Sequence, residues 1–512
     1  MDSNAELNIA GLPDAEALNR IGMLIDAALD GKSPRETDRA FALLDAVESR
    51  SLSPDLAALA QYFRANAWAN RELMGATSDV WSWEQPECQE QILSLRRAVR
   101  NDGFQQLPKV RQCQILTNLA NQLDKIGRFI EAIEIYDRAL SLNPRFGMAR
   151  GNRGIAFSHY ARSLYDGGHA RYMLVSAHDT LTSALATDAI YESPHYQDAQ
   201  HAFNEETKKI AERVDVNAIR EQIAGSEQYG LGKSAEERRY RTWCLKNRLF
   251  INPLNDLGAL PIAAQDILTL PSLTTPLGKG FVPSIIGFFN QMKQEFVSAR
   301  YLYYEGVRAT KPHFSDQDVL LYNTLDYPVY SLAAEKIRFA SRAAYSIFDK
   351  ISFFLNDYFG LRHPLNHVSF RSVWYESKGK PPRPLLARFS ACPNWPLRGL
   401  FWVSKDLFEE EFRQVTEPDA ESLNEIRNHL EHKYLQLHEG MTGLPTDPQA
   451  LRYSIYKRDF EIRTLRLIKL ARAALIHLSL SVWSEEHARR KNDGLKRAFP
   501  MPLAIWRDEW KQ

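Results

Sequence analysis

The chain has 512 residues, of which 44% are hydrophobic and 25% charged, and its formal net charge is +1. This balance excludes a disordered or low-complexity protein, and the length calls for two or three domains. The near-zero charge excludes a whole-molecule field that gathers polyanions, so any nucleic-acid surface has to be a local patch. Cys88, Cys113, Cys244 and Cys392 are far apart and make neither a CxxC pair nor a disulfide framework, which points to a reducing compartment. Residues 1–8 lack a signal pattern, and no run approaches the ~20 apolar residues of a membrane span, so the expected location is the cytoplasm with no membrane partner.

Taken in order, the first 215 residues read as an array of paired helices. Between 116 and 144, Leu116, Leu119, Ala120 and Leu123 are followed by Ala132, Tyr136, Ala139 and a terminating Pro144, with Gly127 at the turn. Small residues at these positions let two antiparallel helices approach closely while the larger ones fill the gap. The pattern resembles a tetratricopeptide repeat at all eight signature positions. Weaker copies flank it: 150–160 with Ala177, Leu181 and Ala184 after a longer loop containing Gly167 and Gly168, then 56–73 with 89–100, and a partial unit at Ala40, Leu44 and Val47. One helix pair cannot bury both faces, so a solenoid over residues 1–215 is expected, offering a surface to a protein or peptide partner or serving as a spacer.

Residues 216–280 read as a helical linker and docking segment. A charged helical stretch with Glu236, Glu237, Arg238 and Arg239 gives way to Trp243 and Cys244, then to the turn residues Asn252, Pro253, Asn255 and Asp256.

Residues 281–500 carry long helical patterns at 282–307, 331–358 and 455–487, enough with one more helix for a bundle. An irregular insertion at 361–417, with possible short strands, interrupts them. It interleaves Arg371, Lys378, Lys380, Arg383, Arg388 and Arg398 with Phe370, Trp374, Tyr375, Phe389 and Trp395. Cations can hold phosphates and exposed aromatics can stack bases, which makes Lys378, Lys380, Arg383 and Arg388 candidate RNA-binding residues. The competing reading makes the aromatics core and the Lys-Pro stretch a solvated loop. In the last helix Arg463, Arg466, Lys469 and Arg472 recur at steps of three, as a basic strip or an ordinary wet face.

The remaining helix follows Ser422, whose spacing to Glu425 suits a capping box and places 427–432 in its first turns. Leu423, Ile426, Leu430, Tyr434 and Leu437 form its apolar seam. At about 100° per residue His432 projects nearly opposite that seam, Asn428 lies one turn earlier on the same side, and Arg427 diverges from His432 by about 140°. A structural histidine, or a metal site built from His429, His432 and His438, are alternative uses; no carboxylate or cysteine cluster completes the latter at a recognised spacing.

Arg427-Asn428-x-x-x-His432, opening a late helix of a four-helix pattern behind a repeat array, resembles the Arg-polar-(several)-His motif of HEPN domains. These are all-helical bundles, many of them metal-independent ribonucleases. The resemblance implies an all-α protein, a tetratricopeptide-type solenoid followed by a HEPN-like bundle. It implies attack of an RNA 2′-hydroxyl on the adjacent phosphodiester, giving a 2′,3′-cyclic phosphate and a 5′-hydroxyl without metal or other cofactor. His432 would transfer the proton, Arg427 neutralise charge on the phosphoryl oxygens and Asn428 orient either partner. It further implies a homodimer with both motifs at the interface and a toxin or defence role. The rival expectation is a catalytically silent scaffold that binds protein or RNA.

Overall fold

In the computed structural model, the described residues are 9–75, 81–192, 196–226, 229–274, 283–377, 383–390, 392–415, 420–440, 451–492 and 501–511. Over these residues the protein is all-α with one small sheet. The N-terminal part consists of α1 (Asp14–Asp30), α2 (Pro34–Glu48), α3 (Pro54–Met74), α4 (Pro86–Arg100), α5 (Lys109–Lys125), α6 (Phe129–Leu142), α7 (Gly147–Ser163), α8 (Gly167–Ala184) and α9 (Tyr196–Arg213). Successive helices pack as hairpins, α1 with α2, α3 with α4, α5 with α6 and α7 with α8. Their starts are set locally: Ser33 accepts from the Glu36 amide with Pro34 inside the first turn, and Asp166 accepts from the His169 amide. Gly167 and Gly168 therefore lie in the first turn of α8, and the longer loop expected there is absent.

Helices α10 (Val216–Ser226) and α11 (Ala235–Lys246) lead into a buried turn at Pro253–Asp256. Asp256 accepts from the Tyr160 hydroxyl of α7 at 3.0 Å, which ties this segment to the hairpins.

The C-terminal part contains α12 (Ser284–Arg308), α13 (Leu332–Tyr358), α14 (Ala387–Ser390), α15 (Trp395–Phe408), α16 (Glu410–Val415), α17 (Ala420–His432), strands β1 (Tyr434–His438) and β2 (Arg452–Tyr456), and α18 (Lys457–Asn492). α12 and α13 pack on each other and both pack on α18. Two expectations are corrected. The segment 361–417 holds α15, buried on every face from Pro396 to Leu407, with Asn394 capping the Leu397 amide and Pro396 in the first turn. Its polar residues Arg398, Ser404, Lys405 and Asp406 are buried along with the apolar ones, so they do not mark a solvent face. The only strand pairing in that segment among the described residues is a single bridge between Tyr375 and Leu385. The second correction concerns Tyr434 and Leu437, which belong to β1 and not to α17. β1 pairs in parallel with β2, Tyr434 opposite Arg452 and His438 opposite Tyr456, so Ile455 is strand and α18 starts at Lys457.

One continuous apolar core runs from Ile9 to Val482 and joins the two parts. At their junction the α5–α6 turn meets α15 backbone to backbone: Gly127 has φ +91°, a Cβ there would overlap the Trp395 carbonyl oxygen, and a Cβ on Gly399 would overlap the Gly127 carbonyl oxygen. Trp395 stacks on Phe129 at 4.6 Å and donates to the Asp124 carbonyl at 3.1 Å. Fully buried Trp83 stacks on Phe389 at 5.1 Å and donates to the Cys392 carbonyl at 2.9 Å. Removing ~200 Å² of indole from water at ~25 cal/mol/Å² contributes roughly 5 kcal/mol, so these rings act as core.

Beside the rings, Asp406 of α15 is 1% exposed and receives the Arg96 guanidinium at 2.6 and 2.9 Å and that of Arg128. Burial alone would raise the Asp406 carboxyl; the two arginines hold it below the ordinary carboxylate range. Asp406→Ala leaves two buried guanidinium groups short of an anion and is expected to cost about 3–5 kcal/mol in urea unfolding. Burial also acts to raise the neighbouring Glu131, but Arg128 and His477 outweigh it and bring the carboxyl from 4.5 down to about 2. A carboxylate with a depressed folded pKa stabilises the fold above its unfolded value. The melting temperature is therefore expected to fall steadily as pH is lowered from about 4.5 towards about 2.

Candidate functional site

Helix α17 sits in the C-terminal part with Ile426 and Leu430 buried, 1% and 5% exposed, while Asn428 and His432 are open to solvent. Asn428 and His432 are one turn apart on the same face, and among the described residues neither side chain has a hydrogen-bond partner. The side chains of Ser422 and Glu425, the expected capping box, lie outside the described residues. Residues 427–432 form the last turns of α17 and not the first, because the helix runs from Ala420 to His432 and the chain then enters β1.

Arg427 points elsewhere. Its Nη2 donates to Asp349 Oδ2 at 3.0 Å, and its guanidinium lies 4.7 Å from the centroid of the Tyr345 ring. Both partners are on α13, which also supplies Arg342, donating to the Leu430 carbonyl in the last turn of α17, and Arg338, donating to the Leu435 carbonyl of β1 at 3.1 Å. Arg338, Arg342, Tyr345 and Asp349 recur at helical spacing along one face of α13. This polar stripe holds the motif helix and satisfies a carbonyl that the helix itself leaves open. In the sequence these are four positions at spacings of four, three and four, among several other polar residues of the same helix.

The other two histidines near the motif face inward. His429 is 2% exposed, its ring 5.3 Å from that of Tyr453 on β2, and His438 is 2% exposed at the end of β1. Among the described residues no group of three or more His, Cys, Asp or Glu side chains is placed to hold a metal ion.

Of the candidate RNA-binding residues of the 361–417 segment, Arg388 has partners for its side chain, and none of them belongs to the motif. Lys378 and Lys380 lie outside the described residues. Arg383 is partly buried. Arg388 donates to the Phe359 carbonyl at 3.1 Å and to Glu485 at 2.7 Å. The aromatics expected to stack bases are packed inside: Phe370, Trp374 and Phe389 are each 0% exposed. The basic strip of α18 is also divided by burial. Arg472 is enclosed, bonded to Asp256 at 2.7 Å and to the carbonyls of Phe250 and Asn252, while Lys469 reaches Glu134 at 3.1 Å.

Burial pushes the Asp349 carboxyl up, against the pull of Arg427 and Lys350. The ion pair with Arg427 is also more than one-third exposed on both sides. Asp349→Asn is accordingly expected to change unfolding free energy by no more than about 1 kcal/mol, measured by urea titration.

No helix among the described residues is long and apolar enough to cross a membrane. No curated protein and no solved structure matched the chain. Residues 278–485, the span from α12 into α18 that contains α17 and its α13 support, match the family model described as LA2681-like HEPN, which supports a HEPN domain as the C-terminal part of this protein.

Proposed function

We propose that the chain is a metal-independent endoribonuclease acting through Arg427, Asn428 and His432. The observation that carries this reading is the pairing of Asn428 and His432 on an open face of α17 inside the HEPN-like span, with Arg427 on the flank of the same helix. In this mechanism the imidazole of His432 moves the proton between the RNA 2′-hydroxyl and the leaving 5′-oxygen. The guanidinium of Arg427 stabilises the charged phosphoryl oxygens. Asn428, one turn before His432, orients a phosphate oxygen or the imidazole.

The helical hairpins, read as tetratricopeptide repeats, serve as the module that senses a protein or peptide partner in a bacterial defence or toxin-type response. A homodimer through the C-terminal part would bring a second motif to the first. The connection between α12 and α13 supports this assembly. It leaves Leu320, Tyr322 and Leu325 respectively 87%, 87% and 74% exposed, and its Val329 amide bonds to the Leu437 carbonyl of β1, beyond the end of α17.

A second reading, a silent HEPN and repeat scaffold that binds protein or RNA, draws on the contact of Arg427 with Asp349 and Tyr345, which directs the guanidinium away from the face of His432. The two readings separate in one assay. Purified protein is expected to cleave RNA in EDTA and leave cyclic phosphate ends, with His432→Ala slower by roughly 10²-fold or more. Equal cleavage by wild type and variant, or none by either, would sink the nuclease assignment.

A further inference from the structure

Among the described residues, large apolar side chains crowd into solvent along two stretches, the connection between α12 and α13 and the segment 501–511. In the connection they include Leu320, Leu321, Tyr322 and Leu325; in the segment, Leu503, Ile505, Trp506 and Trp510. At about 150–250 Å² for a large side chain, the connection leaves on the order of 1,000 Å² of such residues uncovered and the segment roughly 700 Å². A typical monomer's largest apolar patch is about 300–600 Å².

The connection is held in place. Asp326 accepts from Gln436 at 2.9 Å and from Arg452 at 3.3 Å, and the Val329 amide bonds to β1. Asp318, Leu325 and Tyr327 keep φ at +60°, +61° and +50°, a region where any residue but glycine is strained. Strain and exposure thus fall at one place, and contact with a partner would offset both.

Charge selects the partner. From 314 to 330 the chain has Asp316, Asp318 and Asp326 and no lysine or arginine, which turns away RNA and anionic lipid alike. From 494 to 507 it has Lys496, Arg497 and Arg507 and no carboxylate. The two stretches are therefore both apolar and opposite in charge. Within one chain they lie apart. Lys511 holds the Asp508 carboxyl below its ordinary range, and Arg241 of α11 adds to this. Burial lowers Lys293 of α12 against the pull of Asp266, and Lys511 adds to that shift. The segment therefore rests beside α11 and the first half of α12, and from Lys293 to the end of α12 is about 22 Å.

We propose that segment 501–507 of one copy docks on the α12–α13 connection of a second copy, and reciprocally, with Ile505 and Trp506 against Leu320, Leu321 and Tyr322 and with Arg507 towards Asp318. Covering half of each stretch in two such contacts buries roughly 1,700 Å², close to the ~1,600 Å² of a standard interface. The inference rests on the homodimer of the proposed function and names its contacts; it does not rest on cleavage.

The test is light scattering and sedimentation of the full chain over a range of concentrations. A dimer is expected. Leu320→Ser with Tyr322→Ser, and separately Ile505→Ser with Trp506→Ser, change mostly exposed side chains and should melt as wild type. Each pair should weaken dimerisation roughly tenfold or more. Asp318→Lys and Arg507→Glu should each weaken it a few-fold, and the two combined in one chain should recover it, because the exchanged charges meet again across the interface. The charge exchange stands as the test if an apolar variant fails to fold. Wild-type dimerisation in both folded apolar variants, or no recovery in the combined charge variant, would overturn the contact and leave the homodimer standing. A wild-type chain that stays monomeric at every concentration would overturn both, while cleavage in EDTA judges the nuclease separately.

Discussion

The buried carboxylate of Asp406, shared by Arg96 and Arg128, is the constraint on which the arrangement of this protein depends. Two arginines from the N-terminal hairpins enter a nearly buried site to meet one anion from α15. Desolvation makes such a cluster a poor source of net stability but a strict judge of geometry: it tolerates no docking in which a charge is left over. The glycine contact at Gly127 and Gly399 sets the distance, since any side chain there would force the α5–α6 turn and α15 apart. The rings of Trp395 and Phe129 then supply dispersion and apolar burial across the same junction. Charge fixes the register, glycine fixes the separation, and the aromatics contribute the energy.

The candidate site depends on this frame at one remove. α18 packs against α13 and α15, and α13 in turn carries the stripe from Arg338 to Asp349 that grips α17 and β1. α17 is only 13 residues long, too short to be stable by itself in water. Its orientation is thus owed to side chains that lie about 80 residues earlier in the chain. Asn428 and His432 are presented outward because Ile426 and Leu430 are drawn inward, and Arg427 turns sideways because Asp349 and Tyr345 are there to receive it.

The helical hairpins were legible because close packing demands small residues at fixed spacing, and Ala120, Ala132 and Ala139 stand in the sequence at those places. The motif residues were legible as chemical types for the same kind of reason: Ile426 and Leu430 mark the inner face of the helix. Three things were not legible. α15 has no solvent-exposed side from Pro396 to Leu407, and its charged residues Arg398, Lys405 and Asp406 are buried, so polarity did not mark which face is inside. The end of α17 was hidden because Leu430, Tyr434 and Leu437 keep a helical spacing although the last two are strand residues. The direction of Arg427 is decided by Asp349, a contact across 78 residues that no local pattern encodes. Aromatic and basic residues near 370–398 suggested a surface, yet composition does not distinguish a stacking platform from a core until the partner, here Trp83, is in place.

The junction has a further consequence for how the chain can be divided. Its sequence suggests a repeat module and a bundle that could be handled separately, but the anion for Arg96 and Arg128 belongs to the other half, as does the anion for Arg472. A fragment cut near residue 280 would carry orphaned guanidinium groups and a bare indole on what had been interior surface. Such halves could not be exchanged freely with those of a distant homologue, since each would have to find the same charges and the same missing side chains on its new neighbour. Recombination during evolution would meet that barrier too, so the two halves are expected to have been inherited together.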